Sequence, residues 1–228
     1  MKTFGRVLTA MITSFNEDGS VNIENTVAIA QHLLDHGSDG LVVCGTTGEN
    51  PTMSRESIIA LFKAIAESCG DKGTIIANVG SNDTKGSVDF VKEVSAIPGI
   101  DGLLVVVPYY NKPNQQGQYL HFKSIAEATT LPIMVYNVPG RVGTGIFPAT
   151  LARLHKEYPH ICAIKEASGN LMIASEIKRL MPGDDFMVYS GDDGLTLPIL
   201  SVGGTGVISV VSHVAGQDMN DMIAAFEK

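Results

Sequence analysis

One lysine in this chain stands where lysine is uncommon. In Ile161-Cys162-Ala163-Ile164-Lys165-Glu166, four apolar residues run directly into Lys165. A short apolar run bounded by turn residues predicts a buried strand. Alternation along it puts Ile161, Ala163 and Lys165 on one face. Held in a desolvated pocket, such an amine loses part of its preference for charge and becomes a nucleophile; at a solvated strand tip it is only a surface charge. Tyr136 closes a second apolar run, 133–136, on the face of Met134. In a closed sheet it lies next to Lys165, where a phenol can pass protons to and from a carbinolamine. Taken singly it reads equally as a core tyrosine with a satisfied hydroxyl. Arg141, in Val138-Pro139-Gly140-Arg141, could clamp a carboxylate bidentately or simply face solvent. Gly45-Thr46-Thr47-Gly48-Glu49 offers two hydroxyls and backbone N–H groups suited to a carboxylate, or forms a glycine-bounded turn.

Other candidates carry less. Asp192-Asp193 has no histidine or carboxylate at ligand spacing, so a helix cap is the better reading than a metal site. His32 and His36 form an i,i+4 pair on a predicted outer helix, which fits packing. Gly203-Gly204-Thr205-Gly206 resembles a phosphate nest but precedes a strand, and reads as a tight connection.

These residues need elements to position them, and the pattern supplies a regular set. Strands are predicted over 7–12, 40–44, 74–78, 103–107, 133–136, 161–165, 186–189 and 206–210. Helices are predicted over 23–36, 54–68, 84–96, 115–128, 148–155, 171–180, 195–202 and 217–228, with Ser54 as a cap and Pro148 in a first turn. Strict alternation predicts a parallel sheet. Eight units favour one closed (β/α)8 TIM barrel over 1–228; a doubly wound open sheet is the alternative, but its Gly-x-Gly-x-x-Gly signature is missing after the first strand. In such a barrel, chemistry gathers on loops that follow strands. Lys165, Tyr136, 45–49, Pro108-Tyr109-Tyr110-Asn111 and Ser190-Gly191-Asp192-Asp193 all do so.

Composition narrows the partners. The 228 residues carry a formal charge of −8, which argues against nucleic acid or an anionic membrane. Cys44, Cys69 and Cys162 are odd in number and widely spaced, as in a reducing compartment. Residues 1–6 show no apolar leader, and the longest clean apolar run, 103–107, is too short for a bilayer. The expectation from these features is a cytoplasmic protein.

Six motifs in one order make the chain recognisable. They are Gly45-Thr46-Thr47-Gly48-Glu49, Pro108-Tyr109-Tyr110-Asn111-Lys112, Tyr136-Asn137-Val138-Pro139-Gly140-Arg141, Ile164-Lys165-Glu166-Ala167-Ser168-Gly169-Asn170, Ser190-Gly191-Asp192-Asp193 and Gly206-Val207-Ile208-Ser209. From about Gly5 to Ala225 the chain resembles the dihydrodipicolinate synthases of the pyruvate-dependent class I aldolase superfamily. The resemblance implies a Schiff base between pyruvate and Lys165, followed by condensation with aspartate 4-semialdehyde. It implies a proton relay of Tyr136, Thr46 and Tyr110, the last reaching a neighbouring subunit of a homodimer or homotetramer. It gives the pyruvate carboxylate to Thr47, the semialdehyde carboxylate to Arg141, and the lining of the pyruvate pocket to Gly191 and Ile208. Arg141 favours this chemistry over N-acetylneuraminate lyase or keto-deoxy sugar-acid aldolases, which remain alternatives, as does a weakly active paralogue that only binds an oxo acid.

The chain departs from that pattern in places. The helices that usually extend family members past the barrel are expected to be missing. Asn78, in Ala77-Asn78-Val79-Gly80, and Ser14 replace the usual residues. Tyr109 and Asn82 match residues that bind inhibitory lysine in some members, whereas Arg55, Ile58 and Gly86 do not. Weak or absent inhibition by lysine is the expectation.

Overall fold

The computed structural model describes residues 4–183 and 186–228, so residues 1–3 of the amino-terminal stretch lie outside the description. Its strands are β1 (Val7–Ala10), β2 (Gly40–Val43), β3 (Thr74–Asn78), β4 (Gly102–Val106), β5 (Ile133–Asn137), β6 (Ile161–Glu166), β7 (Met187–Ser190) and β8 (Gly206–Ser209). They pair in sequence order, all parallel, and β8 returns to β1 through Val7↔Val207, Leu8↔Ile208 and Thr9↔Ser209. That last pairing closes the barrel and rules out the open sheet. With both faces covered, the strands can be apolar nearly throughout, and β1, β2, β3, β5, β6, β7 and β8 are buried at every position.

The outer layer consists of α1 (Ile23–Asp35), α2 (Arg55–Cys69), α3 (Thr84–Ser95), α4 (Gln115–Ala126), the one-turn α5 (Pro139–Val142), α6 (Pro148–Glu157), α7 (Leu171–Leu180), α8 (Thr196–Ser201) and α9 (Ser212–Phe226). Short polar side chains start most of them by accepting an otherwise orphaned N–H. Asn22, Ser54, Asp83, Asn114 and Asn170 cap α1, α2, α3, α4 and α7 in this way. Three short turns escape the sequence pattern: α5 and the 3-10 turns Asn50–Thr52 and Asp193–Leu195. All follow strands, so the irregular backbone concentrates at the carboxyl end of the barrel.

Two other differences have local causes. The last helix begins at Ser212, not 217, and breaks at Ala215 (φ −140°, ψ 38°). There α9 meets the end of α1 so closely that a Cβ on Gly216 would lie 2.4 Å from the His36 carbonyl. On β6 the register against β5 shifts between Ile161 and Ala163, leaving Cys162 unpaired. Alternation from Ala163 to Lys165 is intact, but its extension back to Ile161 crosses this irregularity. The stretch 203–206 is the tight connection expected, with Gly204 donating to Ile199 and Thr205 to Val188. His32, in the last turn of α1, stacks on His36 just past its end, outside the barrel. The three cysteines are buried and free. No helix among the described residues is long and apolar enough to cross a membrane.

Candidate active site

Lys165 and Tyr136 are register partners near the ends of β6 and β5, and Tyr189 of β7 flanks Lys165 on the other side. Strand register therefore places amine beside phenol: Lys165 Nζ lies 4.7 Å from the centroid of the Tyr136 ring. Lys165 is 7% exposed. Burial, reinforced by the nearby Arg141 guanidinium and opposed by Asp193, lowers its pKa to about 8. At neutral pH roughly a tenth of the amine is then uncharged, against roughly one part in 3,000 for an ordinary lysine. Burial also raises the Tyr136 phenol, with the Arg141 charge and the Thr46 hydroxyl acting in the opposite direction. The Tyr136 phenol thus stays protonated at neutral pH, able to donate as well as accept.

A cavity of about 280 Å³ opens above this pair. Lys165, Tyr136, Thr46 and Arg141 line it together with Asn78, Tyr109 and an apolar wall that includes Leu104, Val106 and Val138. The volume suits small metabolites at the low end of ligand pockets. A larger groove, about 660 Å³, runs between α2 and α3 on the outer layer and contains none of these strand-tip groups.

The loop 44–49 is built under constraint. Cys44 and Glu49 both adopt left-handed backbone (φ 54° and 59°), uncommon for residues with a side chain. Asn78 Nδ2 donates to the Cys44 carbonyl at 2.9 Å, and the Thr13 hydroxyl donates to the Gly48 carbonyl at 2.8 Å. Gly48 and Glu49 spend their N–H groups on Gly45 and Thr46. The N–H groups of Thr46 and Thr47 have no acceptor among the described residues, which leaves them available to an anion. Asn78 is the polar intruder visible in the sequence, but its contact is not. Neither its role nor that of Thr13 had a local signal, because both act on a loop distant in the chain.

The remaining predicted residues fall around the cavity, not on its wall. Thr47 is half-buried beside Thr46. Gly191 abuts the lysine: a Cβ there would lie 3.1 Å from Lys165 Cε. Its N–H is committed to the Glu166 carbonyl at 2.8 Å. Ile208 is buried in the barrel core on β8. Tyr110 is 87% exposed, with left-handed backbone (φ 68°). Asp192 accepts from Gly194 as the cap of the turn that follows, while Asp193 Oδ2 accepts from Val210 and Val211 and ties two strand-end loops together.

A buried amine of lowered pKa, a phenol against it and an arginine across a small cavity are groups that Schiff-base chemistry would use. Residues 3–228 match the Dihydrodipicolinate synthetase family. The chain belongs to the dihydrodipicolinate synthetase family. It is 51% identical over 223 residues to the 4-hydroxy-tetrahydrodipicolinate synthase of Desulforamulus reducens, covering 98% of this chain and 75% of that protein. It is 53% identical, over the same shares, to the synthase of Moorella thermoacetica. Among solved structures it resembles the dihydrodipicolinate synthase of Bacillus anthracis (TM-score 0.95, 46% identity, 100% of this chain and 77% of that one). It also resembles the Cyanidioschyzon merolae enzyme crystallised with lysine bound (TM-score 0.94, 45% identity, 98% and 75%). Family membership agrees with the closed barrel and with the amine at its carboxyl end.

Proposed function

We infer that this chain condenses pyruvate with L-aspartate 4-semialdehyde to 4-hydroxy-tetrahydrodipicolinate, in the diaminopimelate route to lysine, through a Schiff base on Lys165. The observation that carries the reading is Lys165 itself, 7% exposed, lowered to about 8 and set against Tyr136 at the mouth of the cavity. The neutral amine adds to the pyruvate ketone, and loss of water gives an imine. The protonated imine withdraws electrons, the pyruvate methyl loses a proton, and the enamine attacks the aldehyde carbon. The substrate's own amine then adds to the imine carbon, closes the ring and expels Lys165. The imine is the electron sink, so the chemistry calls for no metal or organic cofactor.

Roles for the other residues follow from this order of events. We assign the proton relay to Tyr136, Thr46 and Tyr110. Thr47 and the free N–H groups of its loop take the pyruvate carboxylate, and Arg141 takes that of the semialdehyde. Gly191, lacking a side chain, leaves room for Lys165, and we assign Gly191 and Ile208 to the border of the pyruvate pocket through their backbone groups. The exposure of Tyr110 supports a homo-oligomer in which it enters a neighbouring copy's site; light scattering that reports a monomer would defeat this. Buried, free cysteines suit work in the cytoplasm.

Borohydride reduction in the presence of pyruvate, read by peptide mass, is expected to leave an adduct on Lys165. Absence of that adduct overturns the reading. Turnover of sugar acids in place of the semialdehyde would transfer it to a sibling aldolase. Lysine is expected to inhibit weakly or not at all. Arg55, beside the outer pocket at Tyr109, is engaged with Glu93 at 2.7 Å and lies over the Phe90 ring, and Gly86 offers no carboxylate for an ammonium. Strong inhibition at millimolar lysine or below would contradict this.

A further inference from the structure

Directly beyond Tyr136 and Lys165 in the strand register stands a second pair, Asn137 and Glu166. Alternation turns their side chains to the opposite side of the sheet from amine and phenol. Both are buried, Asn137 completely and Glu166 at 3% exposure. A buried carboxylate without a cation is costly unless neutral donors saturate it. Among the described residues Glu166 has no ion pair, but each of its oxygens has a donor. Asn137 Nδ2 gives to Oε2 at 2.7 Å, and Ser168 N–H gives to Oε1 at 2.7 Å.

The other end of the Asn137 amide faces the other way. Its Oδ1 accepts from the Ile146 N–H at 3.2 Å. A carboxylate only accepts and a backbone N–H only donates, so the amide has one possible orientation. Asn137 therefore joins three things: the tip of β6, the end of β5 and the return of the loop 138–146 that carries Arg141. Backbone bonds complete the joint, with Ala167 N–H donating to the Asn137 carbonyl and Gly191 N–H to that of Glu166.

We propose that Asn137 and Glu166 are a positioning pair, which from behind the sheet holds Lys165 against Tyr136 and holds the Arg141 loop over the cavity. The proposal rests on the Schiff-base reading above and adds residues that touch no substrate. Polarity within the joint is directional, so either partner changed alone must leave one contact mismatched. Glu166→Gln always opposes two N–H groups, whichever way the two amides turn. Asn137→Asp opposes two carboxylates, a mismatch that uptake of one proton by the pair relieves, so this variant is read at the alkaline end of the pH range. Made together, the two changes restore every bond. The amide then at position 166 would accept from Ser168 and donate to the carboxylate then at position 137, which would still accept from Ile146.

The test is steady-state kinetics and the rate of borohydride-trapped pyruvate adduct, on protein whose folding is verified by circular dichroism. Each single variant should lose on the order of 100-fold in kcat/KM for the semialdehyde, the scale of a small misplacement of reacting groups. The double variant should recover most of that loss. Single variants with parental kinetics, or a double variant no better than the worse single one, overturn the proposal. Should the single variants fail to fold, Asn137→Ser is read instead, and unchanged kinetics for both substrates overturn it. A parent chain that traps no pyruvate overturns the Schiff-base reading and the pair with it. A parent that traps pyruvate, with indifferent variants, overturns the pair alone.

Discussion

Among the described residues two lysines sit against tyrosine rings, and only one of them is equipped for chemistry. Lys165 lies 4.7 Å from the ring centroid of Tyr136 at the barrel mouth; Lys123 lies 5.5 Å from that of Tyr158 on the outer layer, between α4 and α6. Lys123 is half-exposed, forms an ion pair with Glu127 and donates to the Tyr158 hydroxyl at 2.9 Å. Those hydrogen bonds raise its pKa, the Glu127 bond foremost. Lys165 is buried and forms no ion pair among the described residues; the Asp193 charge opposes the shift, but burial, reinforced by the Arg141 charge, outweighs it and lowers the pKa. The neighbouring aromatic ring is common to both sites, so it does not decide reactivity. Desolvation without a compensating anion does.

The comparison breaks most sharply at the amines. Lys165→Ala should abolish the trapped adduct and lower kcat by at least on the order of 10³-fold. Lys123→Ala should leave kcat, KM and the adduct at parental values. Equal losses in the two variants would show that the outer pair matters to catalysis. At the phenols, Tyr136→Phe should cost on the order of 10²- to 10⁴-fold in kcat, the usual scale of a general acid–base group, while Tyr158→Phe should cost nothing measurable in initial rates.

Proton linkage sharpens the contrast further. Attack needs the neutral amine, so kcat/KM for pyruvate should rise with pH and level off above about 8. Removing the Arg141 charge raises the Lys165 pKa, so Arg141→Ala should move that limb to higher pH and raise KM for the semialdehyde roughly tenfold or more. Arg141→Lys keeps the charge and loses the fork, and should raise KM without moving the limb. A limb that stays in place in Arg141→Ala would remove the guanidinium from the site's electrostatics.

The smallest effect is on stability. A lysine whose folded pKa lies below its unfolded value of 10.5 costs stability wherever the unfolded chain holds it charged, and the cost is full where the folded chain holds it charged too. Lys165→Met should therefore stabilise the protein by about 1–3 kcal/mol near pH 7. The gain should be full below about pH 8 and shrink as pH approaches the unfolded value, as read from chemical denaturation at several pH values. A variant less stable than the parent would mean that packing around the ammonium outweighs its desolvation.

Much of the site was legible because the barrel converts chain order into position. Once eight alternating units are recognised, Lys165 and Tyr136 become neighbours on adjacent strands, and the loops after strands share one end. Thr46 and Arg141 join the same cavity for that reason. Thr47, Gly191 and Ile208 resist the same reasoning, since they stand near the cavity without lining it. The unpaired Cys162 was not visible either. A bulge arises from the fit of two strands and leaves no mark in the alternation of one of them. Nor was the start of α9 at Ser212, where the break at Ala215 follows the close approach of Gly216 to the end of α1.

The sequence by itself determined the alternation of strand and helix, the capped helix starts and the presence of a lysine at the end of an apolar strand. These are local properties of propensity, periodicity and hydrogen-bonding capacity, carried by residues a few positions apart. Only the tertiary structure decided that the sheet closes and that the amine is dry. It also decided that Asn78 grips the Cys44 carbonyl and that Asn137 meets Glu166 behind the site. Those outcomes depend on burial and on partners far away in the chain, 29 residues for Asn137 and Glu166, 34 for Asn78 and Cys44, and the first and last strands of the barrel for Val7 and Val207. Desolvation exists only once the chain has folded around the group.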